Sequence, residues 1–365
     1  MSEHSRRSRE KDKDETNGRL NFFSNHRALM ILCLLILATI SWGAYSNRRS
    51  LPINSTAMPT STPPQMPANT ASREYVYAGS ALVSTVEPFR QAPEDLAYWK
   101  PSDATWHILN SQGQEIVQQW GESTDILTPG DYDGDGKTDF CVFRPSNQNW
   151  YTINSSNAST TTFSFGLSTD IPVPADFDGD GKSDIAVWRP SNLNWYVHKS
   201  SDGTNTQTAF GSSGDKPMPA DYDGDGKSDI GVWRDSSHSF VFLRSSDSQT
   251  VTYSIGQSGD DPVTGDFDGD GKMDFGVHRP GNHAWFIFHS SDAIVYTQTF
   301  GSRADKPIPG RYSDSADTDA KTDIAVWRAR AGIWYILRSS NGTTRAVQFG
   351  SGDGGDKPIP AAWKR

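Results

Sequence analysis

The chain has 365 residues, of which 35% are hydrophobic and 11% aromatic, with 34 Lys and Arg against 44 Asp and Glu for a net charge of −10. Low apolar content with many Trp, Tyr and Phe excludes a Leu-rich helical core and suits short aromatic strands. The acidic balance excludes a nucleic-acid partner, and two cysteines exclude a disulfide framework.

Residues 1–27 are polar, with seven basic and five acidic side chains and no periodicity, and read as a disordered cytoplasmic tail. The run ALMILCLLILATISWGAY, residues 28–45, carries no charge over 18 residues. That length just crosses a bilayer core of about 30 Å. Trp42 and Tyr45 suit an interface, and the basic tail places the N-terminus in the cytoplasm. We read a single N-terminal transmembrane helix, a signal anchor, with a cleaved signal peptide ending near Ser41 and Gly43 as the alternative. Both readings export the rest of the chain, either membrane-anchored at the cell surface or in the periplasm, or secreted. Residues 46–72, rich in Pro, Ser and Thr, form a stalk. Residues 73–95 hold strand-like pieces, Tyr75–Tyr77 and Ala81–Val83, that fit no repeat.

From residue 96 a period of 45 takes over. The string Asp-aromatic-Asp-Gly-Asp-Gly-Lys-X-Asp begins at Asp131, Asp176, Asp221 and Asp266. A period of this length marks units that bury their apolar faces only by stacking on neighbours. Each unit reads as four short strands. In the second copy these are Pro172–Ala175, Ile185–Arg189, Trp195–Val197 and Thr206–Phe210, separated by Asp, Pro-Ser-Asn and Ser-Asp-Gly turns. Columns recur: Phe143, Trp188, Trp233, His278 and Trp327 before an Arg; Trp150, Trp195, Phe240, Trp285 and Trp334; and Phe or Ile before Gly166, Gly211, Gly256, Gly301 and Gly350. Cys141 shares a column with Ala186, Gly231, Gly276 and Ala325 and reads as a small buried side chain.

The array begins with a unit lacking its first strand, Tyr98 to Gly121, and ends with a lone first strand, Asp356 to Ala361. The two fragments complete one blade. The predicted fold over 96–365 is therefore all-β: a propeller of about six four-stranded blades, closed by N- and C-terminal strands sharing one blade, which removes the open sheet edges.

The acidic loops read as calcium sites. Ca2+ takes six to eight oxygen ligands, and alternate Asp side chains in a Gly-containing turn can converge on one ion. The assigned ligands are Asp131, Asp133, Asp135 and Asp139 with the Lys137 carbonyl; Asp176, Asp178, Asp180 and Asp184 with Lys182; Asp221, Asp223, Asp225 and Asp229 with Lys227; and Asp266, Asp268, Asp270 and Asp274 with Lys272. Four divalent ions would reduce the net charge to about −2. The loops are not EF-hands, because position twelve is a strand valine rather than a bidentate Glu. A fifth loop, 310–323, is four residues longer and lacks both glycines; it keeps Asp317, Asp319 and Asp323, with Ser315 read at the first position.

Asp-X-Asp-Gly-Asp-Gly-X-X-Asp loops preceded by Phe-Gly resemble the FG-GAP/VCBS repeats of bacterial surface proteins and are similar to the calcium-loop blades of integrin α-subunit propellers. The resemblance spans about residues 96–365. It implies a propeller with calcium between the first two strands of a blade, and adhesion or recognition outside the cell more often than catalysis. Integrin propellers have seven blades, against six counted here.

The Trp and Arg columns are expected to serve inter-blade packing and pairing with loop Asp residues. His278, His283 and His289 in one blade read as scattered surface histidines, with a polar site as the alternative. No His-Glu-X-X-His, Gly-X-Ser-X-Gly or phosphate loop occurs. The expected function is a monomeric, calcium-stabilised module binding an extracellular glycan or protein. The alternatives are a propeller-type glycosidase or lyase, with no catalytic residues assigned, and a structural module of an envelope complex.

Overall fold

The computed structural model describes residues 74–78, 81–86, 96–110, 113–312 and 319–360. The predicted tail, membrane segment and stalk lie outside the described residues. Among the described residues, no helix is long and apolar enough to cross a membrane.

Six antiparallel four-stranded sheets succeed one another as blades of a propeller. Blade one comprises Ile126–Leu127, Phe140–Arg144, Asn149–Ile153 and Thr160–Ser164, from the inner strand outward. Blade two comprises Ile171–Pro172, Ile185–Arg189, Asn194–His198 and Asn205–Ala209, and blade three Lys216–Pro217, Ile230–Arg234, Ser239–Leu243 and Thr250–Ser254. Blade four comprises Asp261–Gly265, Asp274–Arg279, Ala284–Phe288 and Val295–Thr299; blade five Lys306–Pro307, Ile324–Arg328, Ile333–Leu337 and Thr344–Gln348.

The sixth blade closes the ring as expected. The last strand, Lys357–Pro360, pairs with Leu96–Lys100, bringing Lys357 opposite Trp99 and Ile359 opposite Ala97, and Thr105–Leu109 and Glu115–Gln119 lie successively outward. Pro358 and Pro360 are accommodated because an inner strand has a neighbour on one side only.

Second strands are buried almost throughout, as Phe140–Arg144 shows, because neighbouring blades cover both of their faces. Third strands alternate between buried and half-buried positions in blades one, two and five and in the closing blade, whereas that of blade three is buried over its first four residues. The core is a set of fully buried tryptophans: Trp99, Trp106, Trp150, Trp188, Trp195, Trp233, Trp285, Trp327 and Trp334. A buried indole N–H needs an acceptor. The Phe-Gly column supplies it: Trp150 donates to the Phe165 carbonyl at 3.0 Å, Trp195 to Phe210 at 3.2 Å, Trp285 to Phe300 at 3.1 Å and Trp334 to Phe349 at 2.9 Å. Gly166, Gly211 and Gly301 after it turn the chain with positive φ, and at Gly166 a Cβ would lie 3.1 Å from Val187 of the next blade. Phe-Gly is therefore both an indole acceptor and a close contact between blades.

The arginine column differs from expectation. Its partners are not metal-loop carboxylates but the Asp that precedes each inner strand. Arg144 pairs with Asp125 at 2.9 Å; Arg189 with Asp170, Arg234 with Asp215 and Arg279 with Asp260, all at 2.8 Å; and Arg328 with Asp305 at 2.8 Å. Arg144, Arg189 and Arg328 also lie over Tyr151, Tyr196 and Tyr335, with Arg279 over Phe286. The loop Asp residues sit at the other end of the second strand, beyond reach of these side chains. Cys141 is fully buried, as expected, and its thiol is pushed up to about 11 by burial.

The strand-like segment before the repeat is a hairpin, Glu74–Ala78 paired with Ala81–Val86. Its first strand approaches the inner strand of blade four, and its second approaches the inner strands of the closing blade and blade one. Blades one and four face each other across a six-membered ring, so the hairpin lies across the central channel.

Candidate metal centre

Each acidic loop joins the inner to the second strand of its blade. An isolated bridge pinches its base: Gly130 with Asp139, Ala175 with Asp184 and Ala220 with Asp229. In blade four the same junction is continuous ladder, with Gly265 opposite Asp274. The two ends of the nine-residue string are thus held together, and the side chains between them converge.

Ligand-capable oxygens lie within 4.8 Å of one another in four clusters: Asp131, Asp133 and Asp139; Asp176, Asp178 and Asp180; Asp221, Asp223 and Asp225; Asp266, Asp268 and Asp274. Every Asp position named from the string occurs in at least one cluster. The first and ninth carboxylates are buried, and the third and fifth lie nearer the surface. Lys137 contributes its amide N–H to Asp135 at 2.8 Å, as Lys182, Lys227 and Lys272 do to Asp180, Asp225 and Asp270.

Backbone N–H groups organise the carboxylates. Asp131 accepts from Gly134 and Gly136, and Asp139 accepts from Tyr132 at 2.7 Å. These donors oppose desolvation without overcoming it. Burial raises Asp139, Asp184, Asp221 and Asp266 to about 6, and Asp176, Asp229 and Asp274 to about 7. Clustered carboxylates with buried members that resist ionisation are a set of groups that could hold a cation. All the donors are oxygen, as a hard ion such as calcium requires. These residues fit the group that the loops predict.

A serine pair that sequence reasoning missed completes each loop. It comes from the turn between the third and outer strands. Ser155 donates its N–H to Asp139 at 2.7 Å and its hydroxyl to Asp135 at 2.9 Å, and the Ser156 hydroxyl donates to Asp133 at 2.6 Å. Ser200 and Ser201, Ser245 and Ser246, and Ser290 and Ser291 repeat the arrangement. The signal was available: Ser-Ser recurs in step with the Asp loops, and the closing blade has Ser111-Gln112 there and no loop. Removing partners that orient metal ligands typically costs ten- to hundredfold in affinity. Ser200→Ala with Ser201→Ala is expected to weaken calcium at the second loop by roughly tenfold or more, read by calcium titration. Unchanged affinity would make the pair a packing feature only.

The loops are also linked to one another. Ser183 donates its N–H to the Asp131 carbonyl and Ser228 to Asp176, each at 2.7 Å; Met273 reaches Asp221 at 3.0 Å and Thr322 reaches Asp266 at 2.6 Å. The lysine of each loop lies over the first glycine of the loop before it. A Cβ on Gly134 would meet Lys182 Cε at 2.8 Å, and on Gly224 would meet Lys272 at 2.9 Å. Both glycines have positive φ, so a side chain there is strained by the backbone and would also displace the lysine.

The fifth loop departs from its expected register. Gly310 bridges Asp323 as Gly130 bridges Asp139, and Tyr312 donates its N–H to Asp323 as Tyr132 does to Asp139. The residue at the first ligand position is therefore Arg311, buried at 6% exposure, and not Ser315. Asp319 and Asp323 keep the fifth and ninth positions, each bonded to Ser339. Ser315 and Asp317 lie outside the described residues. A buried guanidinium in place of the first carboxylate supplies a fixed cation where the other loops present an anion.

The three histidines of blade four do not converge. His278 is fully buried against Trp285, contrary to the surface reading, while His289 lies at the other end of the strands, stacked on Tyr296 at 4.0 Å.

Residues 131–187, 176–232 and 221–277 match the FG-GAP-like repeat family. Residues 131–277 are thus three FG-GAP-like repeats in succession, within a six-bladed propeller. No curated protein sequence matches the chain. Among solved structures, the virginiamycin B lyase of Staphylococcus aureus, a catalytically inactive form with quinupristin, is 10% identical, with 72% of this chain and 88% of that one covered and a TM-score of 0.47. AztD of Citrobacter koseri is 9% identical over 80% and 96%, with a TM-score of 0.40. An auxiliary nutrient binding protein of Bacteroides ovatus is 12% identical over 73% and 66%, with a TM-score of 0.41. Likenesses at this level carry no argument about function.

Proposed function

We propose that this FG-GAP-repeat propeller is a calcium-stabilised recognition module held outside the cytoplasm, where it binds a glycan or protein as a monomer. The observation that carries the reading is the repetition, in four successive blades, of a loop that gathers three Asp carboxylates around a buried first one, with the same serine N–H on its buried ninth Asp. Such sites suit the extracellular space, where free calcium is millimolar and modules bind it with Kd of roughly 10⁻⁴–10⁻³ M. The apolar run Ala28–Tyr45 and the Pro/Ser/Thr-rich segment after it support export and a stalk. Calcium here would fix the loops and add rigidity to one face of the disc, leaving recognition to side chains that vary between blades.

The test is a binding screen of the full-length chain against glycan and surface-protein arrays, with calcium and after chelation. Saturable binding that disappears on chelation and returns with calcium is expected. Turnover of a polysaccharide, lost on replacing an acid outside the loops, would overturn the reading in favour of an enzyme.

A further inference from the structure

The blades are near-copies, so a position that leaves the period carries information a repeat does not need. One inter-blade cleft collects such positions. Between blades four and five lies a cavity of about 310 Å³, walled by Phe267, Ile287, His289 and Tyr296 on one side and by Lys321 and Thr322 on the other. That volume is at the small end of ligand pockets and suits one sugar-sized group.

His289 and Tyr296 form a stacked pair with ring centroids 4.0 Å apart. The residues equivalent to His289 in the other full blades are Asn154, Lys199, Arg244 and Arg338, and those equivalent to Tyr296 are Thr161, Thr206, Val251 and Arg345. No other full blade has two rings there. Tyr296 is 46% exposed, with Ile294 and Val295 exposed beside it, so this ring is not needed to fill a core. An exposed stacked aromatic surface is a platform for the C–H face of a sugar ring.

The cleft is also cationic. Lys321 and Arg338 line it, and among the described residues no carboxylate does, in a chain whose net charge is −10. Asp268, Asp270 and Asp292 act on His289 from outside the lining. The Thr322 hydroxyl lines the same cavity, is buried at 2% exposure and has no hydrogen-bond partner among the described residues. A buried hydroxyl without a partner costs free energy unless something supplies one. Its counterparts Thr138, Ser183 and Ser228 all have partners.

We propose that the cleft between blades four and five binds an acidic sugar, a uronate residue of a glycan, with the His289–Tyr296 pair under the ring, Lys321 and Arg338 on the carboxylate and the Thr322 hydroxyl on a ring oxygen. This rests on the recognition reading above and assigns its binding site and ligand class. It also explains why recognition is local to one cleft of a repetitive ring: the lysine and the Arg338 position carry cations in other blades too, and only here does an aromatic pair, which leaves the period, stand beside them.

The experiment titrates the full-length chain, in detergent and millimolar calcium, with D-glucuronate, D-glucose and inorganic phosphate, read by saturation-transfer NMR. Saturable glucuronate binding is expected, with glucose at least tenfold weaker. Tyr296→Ala and Lys321→Ala are each expected to weaken glucuronate at least tenfold at an unchanged melting temperature, and Thr322→Val serves if Lys321→Ala melts early. Absence of saturation, phosphate competing as well as glucuronate, or wild-type affinity in Tyr296→Ala together with Thr322→Val would overturn the site. Uronate glycans still captured by those variants would overturn the cleft alone and leave the recognition reading standing, whereas a chain that captures no glycan or protein in the array screen ends the wider reading.

Discussion

Stripping calcium from the folded chain at pH 7.5 is expected to lower its melting temperature by on the order of 10 °C. At free calcium ten times Kd, each independent site stabilises by about 1.4 kcal/mol and four by roughly 6 kcal/mol. The structure adds a reason for the loss to be cooperative. The main chain of each first Asp is bonded to the next loop, from Asp131 to Ser183 and onward to Asp266 and Thr322. Releasing one loop therefore loosens the seam with the next blade, not a surface turn alone. Thermal melts with and without chelator measure this directly; coincident curves would mean that packing alone holds the ring.

The second large effect is a reversal of pH dependence. In the metal-free chain seven loop carboxyls sit near 6 or 7 because they are buried. Their unfolded value is about 4. A group whose native pKa is raised favours folding while protonated, so its contribution is present below pH 4 and is lost as pH climbs through 6 to 7. Asp305, held low by its Arg328 partner, works in the opposite sense and loses its contribution in acid. The calcium-stripped chain should thus be most stable near pH 4 to 5 and melt on the order of 10 °C lower at pH 7.5. Calcium needs the same carboxylates deprotonated, so its stabilisation grows over that window. Melts of stripped and calcium-loaded chain at pH 5, 6 and 7.5 check both signs. A stripped chain that gains stability between pH 5 and 7.5 would show that the loops are not desolvated as described.

Much of this was legible in the chain. The Asp string, its period and the Phe-Gly ends located the blades, and the half-units at Tyr98 and Lys357 foretold the closure, because these features repeat or complement one another in one dimension. What repetition did not carry was harder to read. The 74–86 hairpin has no periodic counterpart, and its place across the channel comes from contacts with blades distant in sequence. The partners of the arginine column lie 19 residues upstream in four blades and 23 in blade five, so their pairing depends on strand register rather than on motif. Arg311 was obscured by the longer fifth loop: counting back from Asp323 stops at Ser315, whereas the Gly310–Asp323 bridge counts from the other end. The Ser-Ser column was visible but carries no charge, and only its hydrogen bonds to Asp133, Asp135 and Asp139 reveal its role.

Occupancy of the loops is the central claim, and native mass spectrometry of the chain in millimolar calcium tests it most directly. Four bound ions are expected: one for each intact cluster and none for the fifth loop, where Arg311 takes the first position. A mass equal to the bare polypeptide at that calcium concentration would contradict the account.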